Sequence, residues 1–110
     1  AISGTRIEDA GRDAGLTVVS EIFADRAYLA NGQLMPRSRP GAVLHDPDAI
    51  ALRMVEVVRS GLMPTEGKPV ALAAQSICVH GDTPGAVEAA RKVRAALEKA
   101  GVALKAFVDA

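Results

Sequence analysis

The hydrophobic and polar positions of this 110-residue chain form two alternating patterns. Continuous apolar runs rich in β-branched residues are typical of buried strands, and apolar residues spaced by three or four positions are typical of helices. Apolar runs predict strands at 16–23, 70–79 and 102–107. Helical spacing predicts helices at 3–14, 47–60 and 84–100, so the predicted order is α-β-loop-α-β-α-β.

Residues suited to helix ends flank each predicted helix. The N-cap candidates, two of them followed by proline, are Ser3, Asp46-Pro47 and Thr83-Pro84. The glycines that end the helices are Gly15, Gly61 and Gly101. The apolar positions expected to face inward are Ile7, Ala10 and Ala14, then Ile50, Met54 and Val57, and finally Val87, Ala90, Val93 and Leu97. The outside of the third helix carries the i,i+4 pairs Glu88–Lys92 and Arg94–Glu98.

Two connections interrupt the alternation of helices and strands. Residues 62–69 contain two prolines and a glycine and predict a turn-rich link. Residues 24–45 form a longer excursion, and irregular connections beyond about 12–15 residues are uncommon and often functional. Within it, Asn31-Gly32 predicts a tight hairpin. Its charged residues have two alternative interpretations, as part of a functional site or as a solvated surface. They are Asp25, Arg26, Arg37 and Arg39.

The alternating order defines the predicted fold class as α/β, with parallel strands in β-α-β units. Three strands are few for a parallel sheet that must be covered on both faces. A closed β/α barrel needs about 250 residues, so this chain can supply roughly half of one. We therefore expect a single partial domain over residues 1–110.

Composition excludes several classes of function. Thirteen basic and thirteen acidic residues cancel, which leaves no electrostatic footprint for nucleic acid or an anionic membrane. No apolar run approaches the roughly 20 residues that span a bilayer, and no signal-peptide pattern is present. One cysteine favours a reducing, cytoplasmic setting. The start at Ala1, directly before a predicted helix, suggests a processed, truncated or split polypeptide.

Chemically versatile side chains follow two of the predicted strands. Asp25 and Arg26 follow the first, and His80 and Asp82 follow the second. Because the carboxyl ends of parallel strands meet at one edge, we expect these residues to converge there. His80 can act as a general acid or base. Asp82 can orient that imidazole, activate water or hold a divalent ion, or it can simply help to cap the next helix.

Other polar residues have both functional and structural interpretations. Arg26 can bind a carboxylate or phosphate, or it can pair with Asp25. Glu21 can reach the same site or serve as the buried partner of an arginine. Cys78 is expected to be a small buried hydrophobe and His45 a surface residue. The turn at 81–85 can bind an anion but lacks a P-loop ending, and no Cys/His spacing suggests structural zinc.

Three segments together resemble the LamB/YcsF family, whose characterised members are A subunits of the bacterial ATP-hydrolysing 5-oxoprolinase. They are Glu21–Tyr28, Pro36–Ala42 and Ser76–Asp82, and the resemblance extends over about 1–107. It implies an irregular, TIM-like β/α barrel similar to that of polysaccharide deacetylases. It also implies the opening of 5-oxoproline to glutamate with ATP, together with subunits B and C.

We combine this resemblance with the chemistry of the side chains. The expected catalytic residues are His80, Asp82 and Asp25, and the expected substrate-binding residues are Arg26, Glu21 and Arg37. ATP is the expected cofactor, and a divalent metal is a further candidate.

The chain departs from the family pattern in one respect. The family's amino-terminal half carries an Asp-Leu-Asn-Glu motif and several histidine motifs, which this sequence lacks. We therefore expect half of the presumed active site to be on another chain or lost. Two alternatives to an oxoprolinase component stay open. One is a metal-dependent amidase or deacetylase on the same barrel, and the other is a non-catalytic assembly module that self-associates through an open sheet edge.

Overall fold

The computed structural model describes residues 1–81 and 85–106. Its helices are α1 (Arg6–Asp13), α2 (Pro47–Ser60) and α3 (Ala86–Lys99). Its strands are β1 (Glu21–Phe23), β2 (Leu62–Met63), β3 (Val70–Ala71) and β4 (Ser76–Cys78). Within this described part, no helix is long and apolar enough to cross a membrane.

The central feature of the fold is the parallel pairing of β1 with β4. Ile22 lies opposite Ile77, and Phe23 lies opposite Cys78. A single parallel bridge between Ile2 and Glu21 extends this sheet on the other side of β1. The polypeptide between the two strands contains α2 and an antiparallel hairpin of β2 and β3. The predicted mixed α/β fold with parallel strands is confirmed.

Several predicted strand boundaries are wrong. The strand expected at 16–23 is confined to β1, and Leu16 is exposed. The run at 70–79 is divided between two sheets, because β3 turns back onto β2 inside the expected linker while β4 joins β1. Residues 102–106 form no strand, and Phe107 lies outside the described residues.

Helix α2 follows its sequence signals closely. The Asp46 carboxylate accepts hydrogen bonds from the Asp48 and Ala49 amides, as an N-cap does. Gly61 ends the helix in the left-handed conformation at φ 72°. The predicted apolar stripe is buried, and its members are Ile50, Met54 and Val57.

Helix α1 differs from its prediction in start and orientation. It begins at Arg6 after Thr5, and Ser3 is buried rather than capping. The expected inward face is exposed, with Ile7 68 % accessible, while Glu8 is buried. The reason is polar: the Glu8 carboxylate accepts hydrogen bonds from the Ser20 hydroxyl and the Gly4 amide, and it pairs with Arg12 at 3.3 Å.

Helix α3 is rotated relative to the predicted face. It begins after Gly85, and the predicted cap at Thr83-Pro84 lies outside the described residues. Val93 and Leu97 are buried as predicted, together with Ala89, because α3 packs its 89-93-97 row against α2. Val87 and Ala90 are exposed instead. Both predicted i,i+4 ion pairs form on the outer surface.

One apolar core joins the sheet, the hairpin and the two long helices. It is built from Ile22, Ala24, Tyr28, Ile50, Ala51, Met54, Val57, Met63, Leu72, Ala89, Val93 and Leu97. The core thus fastens α2 and α3 to the strands that carry the polar residues discussed below.

We predict that Met54→Ala destabilises the fold by about 2–5 kcal/mol, because it removes a fully buried side chain and leaves a cavity. Leu52→Ala is the matched control on the same helix, since Leu52 is 66 % exposed. Its effect should stay within about 0.5 kcal/mol. Urea unfolding followed by circular dichroism measures both. Equal losses in the two variants would contradict this description of the core.

A second prediction concerns acid stability. The Ser20 hydroxyl bonded to Glu8 is the main cause that lowers the pKa of that carboxyl below its ordinary value of 4.5. A lowered folded-state pKa stabilises the fold above the unfolded-state value, and this contribution is lost as the pH falls through the folded-state pKa. Glu8→Gln should therefore destabilise the chain at neutral pH, and the difference from wild type should shrink below about pH 4.5.

Urea unfolding at pH 7 and pH 3 measures this difference. Asp9→Asn is the control, because Asp9 is exposed on the same helix. A Glu8→Gln deficit that does not change with pH would contradict the assignment.

Candidate active site

The parallel register of β1 and β4 brings two predicted site residues together. Asp25 follows β1 and His80 follows β4, at the carboxyl edge of the sheet. The Asp25 Oδ1 atom lies 2.9 Å from His80 Nδ1, and Asp25 Oδ2 accepts a 3.1 Å hydrogen bond from the His80 amide. Asp25 is 4 % exposed, so the carboxylate approaches the half-buried imidazole from inside the protein.

These contacts determine the orientation of the imidazole. A carboxylate only accepts hydrogen bonds, so in the neutral ring the proton is on Nδ1 and the lone pair is on Nε2. The Phe23 ring packs beside the imidazole, with centroids 5.2 Å apart and planes inclined by 51°. A carboxylate that orients a histidine from behind is the arrangement that suits general acid–base catalysis.

Asp25 makes an orienting contact of the kind that was predicted for Asp82. Asp82 itself lies outside the described residues, as do Thr83 and Pro84. The sequence signal for Asp25 was its position directly after a strand. The sequence did not reveal that Asp25 faces the imidazole.

Arg26, the next residue along the chain, is buried and does not bond to Asp25. Its Nη2 donates a 2.7 Å hydrogen bond to the Met35 carbonyl, and the residue is 8 % exposed. Its Nε is buried and has no hydrogen-bond partner within residues 1–81 and 85–106. The Asp25–Arg26 ion pair considered as a structural alternative is not formed. A buried guanidinium with an unused donor is suited to receive an anionic group.

The other predicted polar residues are distributed around the fold. Glu21 is at the amino end of β1, where its carboxylate accepts a 2.9 Å bond from the Ser76 hydroxyl, so the structure does not bring it to Asp25. Arg37 is exposed on the 24–45 excursion, and Arg39 pairs with Glu66 at 3.0 Å.

Cys78 is partly buried in β4 rather than buried as predicted, and His45 is on the surface as predicted. Burial is the main cause that raises the pKa of the Cys78 thiol, which keeps the thiol protonated at neutral pH. His45 is exposed just before α2. Among the described residues, no group of three or more His, Cys, Asp or Glu side chains is arranged to hold a metal ion.

The 24–45 excursion folds back and holds Asp25 in place. Its Asn31-Gly32 turn is a reverse turn as predicted, with Gly32 at φ 83° and its amide bonded to the Leu29 carbonyl. The returning segment donates the Leu44 amide to the Asp25 carbonyl at 2.8 Å. The excursion therefore helps to fix the backbone of Asp25 at the site.

Sequence reasoning missed two residues that shape this edge, Arg53 and Tyr28. The Arg53 guanidinium donates to the carbonyls of Ala24 at 2.7 Å and Arg26 at 2.8 Å. The buried Tyr28 hydroxyl accepts a 3.0 Å bond from the Phe23 amide, and burial raises its pKa. The sequence shows Arg53 as a cation next to the apolar stripe of α2. That pattern does not indicate which groups its guanidinium contacts.

A wide groove lies away from this pair. It has a volume of about 890 Å³ along β4 and α3, and its mostly apolar lining includes Ile77, Val93 and Leu97. Neither Asp25 nor His80 lines this groove. The candidate site therefore rests on its polar contacts and its place in the sheet, not on cavity size.

A parallel α/β sheet with an aspartate–histidine pair at its carboxyl edge is typical of an enzyme of the β/α class. The model of the LamB/YcsF family matches residues 1–110. This chain belongs to the LamB/YcsF family.

Curated relatives agree with this assignment. The chain is 51 % identical over 107 residues to the 5-oxoprolinase A subunit of Paracidovorax citrulli, a match that covers 96 % of this chain and 43 % of the relative. It is 52 % identical over 108 residues to the 5-oxoprolinase A subunit of Gluconobacter oxydans, covering 97 % and 42 %.

A solved structure is similar as well. The crystal structure of the lactam utilization protein from Thermus thermophilus superimposes with a TM-score of 0.86 at 48 % identity. That match covers 94 % of this chain and 41 % of the Thermus chain. The chain thus spans less than half the length of the relatives it matches.

We predict that Asp25→Asn changes the tautomer of His80. The neutral wild-type ring should have its proton on Nδ1, because the Asp25 carboxylate accepts it. An amide at position 25 can also donate, so the ring should become a mixture of tautomers. Imidazole ¹⁵N shifts report this directly, and the spectrum is simple because the chain has only two histidines. An unchanged His80 tautomer would contradict the orienting role of Asp25, and the exposed His45 is the internal reference.

Proposed function

We propose that this chain is a component of an ATP-dependent 5-oxoprolinase, which opens the lactam of 5-oxoproline to L-glutamate. The observation that carries the proposal is the Asp25–His80 pair at the carboxyl edge of β1 and β4. Its support is the family membership and the relatives named as A subunits of 5-oxoprolinase. In this proposal the chain forms part of an irregular β/α barrel, and other polypeptide supplies the rest.

The ring opening needs a proton acceptor and a proton donor, and His80 is the proposed carrier of both steps. Nε2 takes a proton from the water whose oxygen bonds to the lactam carbonyl carbon. The same nitrogen then gives a proton to the ring nitrogen as the carbon–nitrogen bond breaks. Asp25 holds the imidazole in the required tautomer and stabilises it while it is protonated.

Arg26 is the proposed binding residue for the free carboxylate of 5-oxoproline. It follows Asp25 along the chain and is buried, and its Nε donor has no partner among the described residues. A guanidinium can bind a carboxylate with two parallel hydrogen bonds. Arg37, on the same excursion, is a second candidate. Glu21 has no role in this mechanism, because it bonds to Ser76 at the opposite end of β1.

ATP is proposed as the co-substrate, and subunits B and C as partners, in a cytoplasmic setting. When bound, ATP would activate the lactam carbonyl by transferring its terminal phosphoryl group to the amide oxygen with release of ADP, and a second water would release that group as inorganic phosphate. A divalent ion is the usual companion of nucleotide phosphates. No step of the mechanism above is routed through a metal. Asp82 stays a proposed catalytic residue on its sequence position alone.

The contacts favour an enzyme over a non-catalytic assembly module. A module predicts scattered polar side chains, whereas Asp25 and His80 share two hydrogen bonds. A metal-dependent amidase on the same barrel is separated from an oxoprolinase by its lack of ATP dependence.

The test uses this chain assembled with the remaining polypeptides of a 5-oxoprolinase, with glutamate formation measured with and without ATP. We expect formation of glutamate that requires ATP. His80→Gln should lower kcat by about 10²–10⁴-fold, the usual effect of removing a general acid–base group. Asp25→Asn should also lower kcat, because the imidazole loses its preferred tautomer.

Asp48→Asn is the matched control for the aspartate change. Asp48 is exposed on α2 and pairs with Lys92, so its loss should leave turnover unchanged. Full turnover in the His80→Gln assembly would overturn the proposed mechanism. Turnover without ATP would favour the amidase alternative.

A further inference from the structure

We propose that Arg53 is a positioning residue for the Asp25–His80 pair. Its guanidinium holds the backbone on either side of Asp25 and so aims that carboxylate at His80. The functional importance of this role rests on the proposed acid–base function of the pair. Its geometric basis stands on contacts within this chain.

The contacts of Arg53 bracket Asp25 along the chain. Nη1 lies 2.7 Å from the Ala24 carbonyl oxygen, and Nη2 lies 2.8 Å from the Arg26 carbonyl oxygen. The Asp25 carbonyl between them accepts the Leu44 amide at 2.8 Å. Three consecutive carbonyls are thus hydrogen-bonded, which holds the peptide planes before and after Asp25. The direction of the Asp25 side chain follows from those planes.

The shape of the guanidinium matters for this bracket. It is planar and carries its donors in fixed directions, so one Arg53 can reach two carbonyls on either side of a single residue. A lysine ammonium at position 53 would keep the positive charge but concentrate its donors at one atom. Arg53→Lys therefore separates the effect of geometry from the effect of charge.

The surroundings of Arg53 show that its burial costs desolvation free energy. Burial is the main cause that lowers the pKa of Arg53, and the acidic groups of Tyr28 and Asp25 oppose that lowering. The guanidinium also stands 5.8 Å from the centre of the Tyr28 ring. It forms no salt bridge within residues 1–81 and 85–106, and its hydrogen bonds go to carbonyls. An apolar residue would extend the stripe of α2 without this desolvation.

A purely structural role makes a different prediction. If Arg53 only fastens α2 to the end of β1, a folded variant should lose stability but retain the bond between Asp25 and His80. If Arg53 positions Asp25, a folded variant should lose the preference of His80 for the tautomer that is protonated on Nδ1. The imidazole tautomer of His80 distinguishes the two, because a change in global stability does not move it.

The experiment compares wild type, Arg53→Lys and Arg53→Met of this chain, with Arg59→Met as the matched control. Arg59 is exposed on the same helix, so the control makes the same chemical change away from the site. We expect His80 ¹⁵N shifts in both Arg53 variants to move toward the mixed tautomers of Asp25→Asn, and those of Arg59→Met to match wild type. Wild-type shifts in a folded Arg53→Lys or Arg53→Met chain would overturn the proposal.

A measurement on the wild-type chain keeps the proposal testable even if both Arg53 variants unfold. The Arg53 guanidinium protons should exchange with solvent much more slowly than those of Arg59, because two carbonyls hold them. Exchange as fast as that of Arg59 would overturn the proposal, because it would show that the two carbonyls do not hold the Arg53 guanidinium.

Activity then separates this inference from the proposed function. In the complete assembly, Arg53→Lys should lower kcat by about 10²-fold, the effect expected of a displacement of about 1 Å, with little change in KM. If Asp25→Asn and His80→Gln leave turnover intact, the proposed function fails, while the tautomer result still decides whether Arg53 positions Asp25.

Discussion

The parallel register of β1 with β4 governs the geometry of the whole molecule. Because Phe23 lies opposite Cys78, both strands end at the same level of the sheet. Asp25 and His80, which follow these strands, therefore lie side by side. An antiparallel pairing would put the two side chains at opposite ends. The contacts at the amino end, where Glu21 meets Ser76 and Ser20 meets Gln75, hold the same register from the other side.

Helix α2 connects the core to the site. One face carries the apolar stripe that buries Met54 against the sheet and α3, and the neighbouring position carries Arg53. Packing that stabilises the fold therefore also sets where the guanidinium meets the carbonyls beside Asp25. The excursion from Asp25 to Leu44 adds a second support, since it returns an amide to the same segment. Stability and geometry at this edge thus come from the same packing.

Prediction from the sequence was most successful where the signal was local. The Asp46-Pro47 start and Gly61 end of α2 are encoded by side-chain capping and by a glycine at positive φ, which need no distant partner. It failed where a distant partner decided the outcome. Ile7 is exposed because Ser20, twelve residues from Glu8, provides a polar partner that turns α1 the other way. The apolar run at 70–79 is divided between two sheets, because β3 pairs with β2 and β4 pairs with β1.

Patterns along the chain were sufficient for the α/β class, the family resemblance and the placement of Asp25 and His80 after strands. Those features depend on short-range spacing and on residue identity, which can be read without knowing the fold. Three-dimensional contacts were needed to establish that Asp25 faces His80, that Arg26 is not its ion-pair partner, and that Arg53 reaches across from α2. These are contacts between residues about thirty to fifty-five positions apart or between side chains whose direction depends on backbone packing. Their geometry exists only once the strands, the excursion and α2 have been assembled around one core.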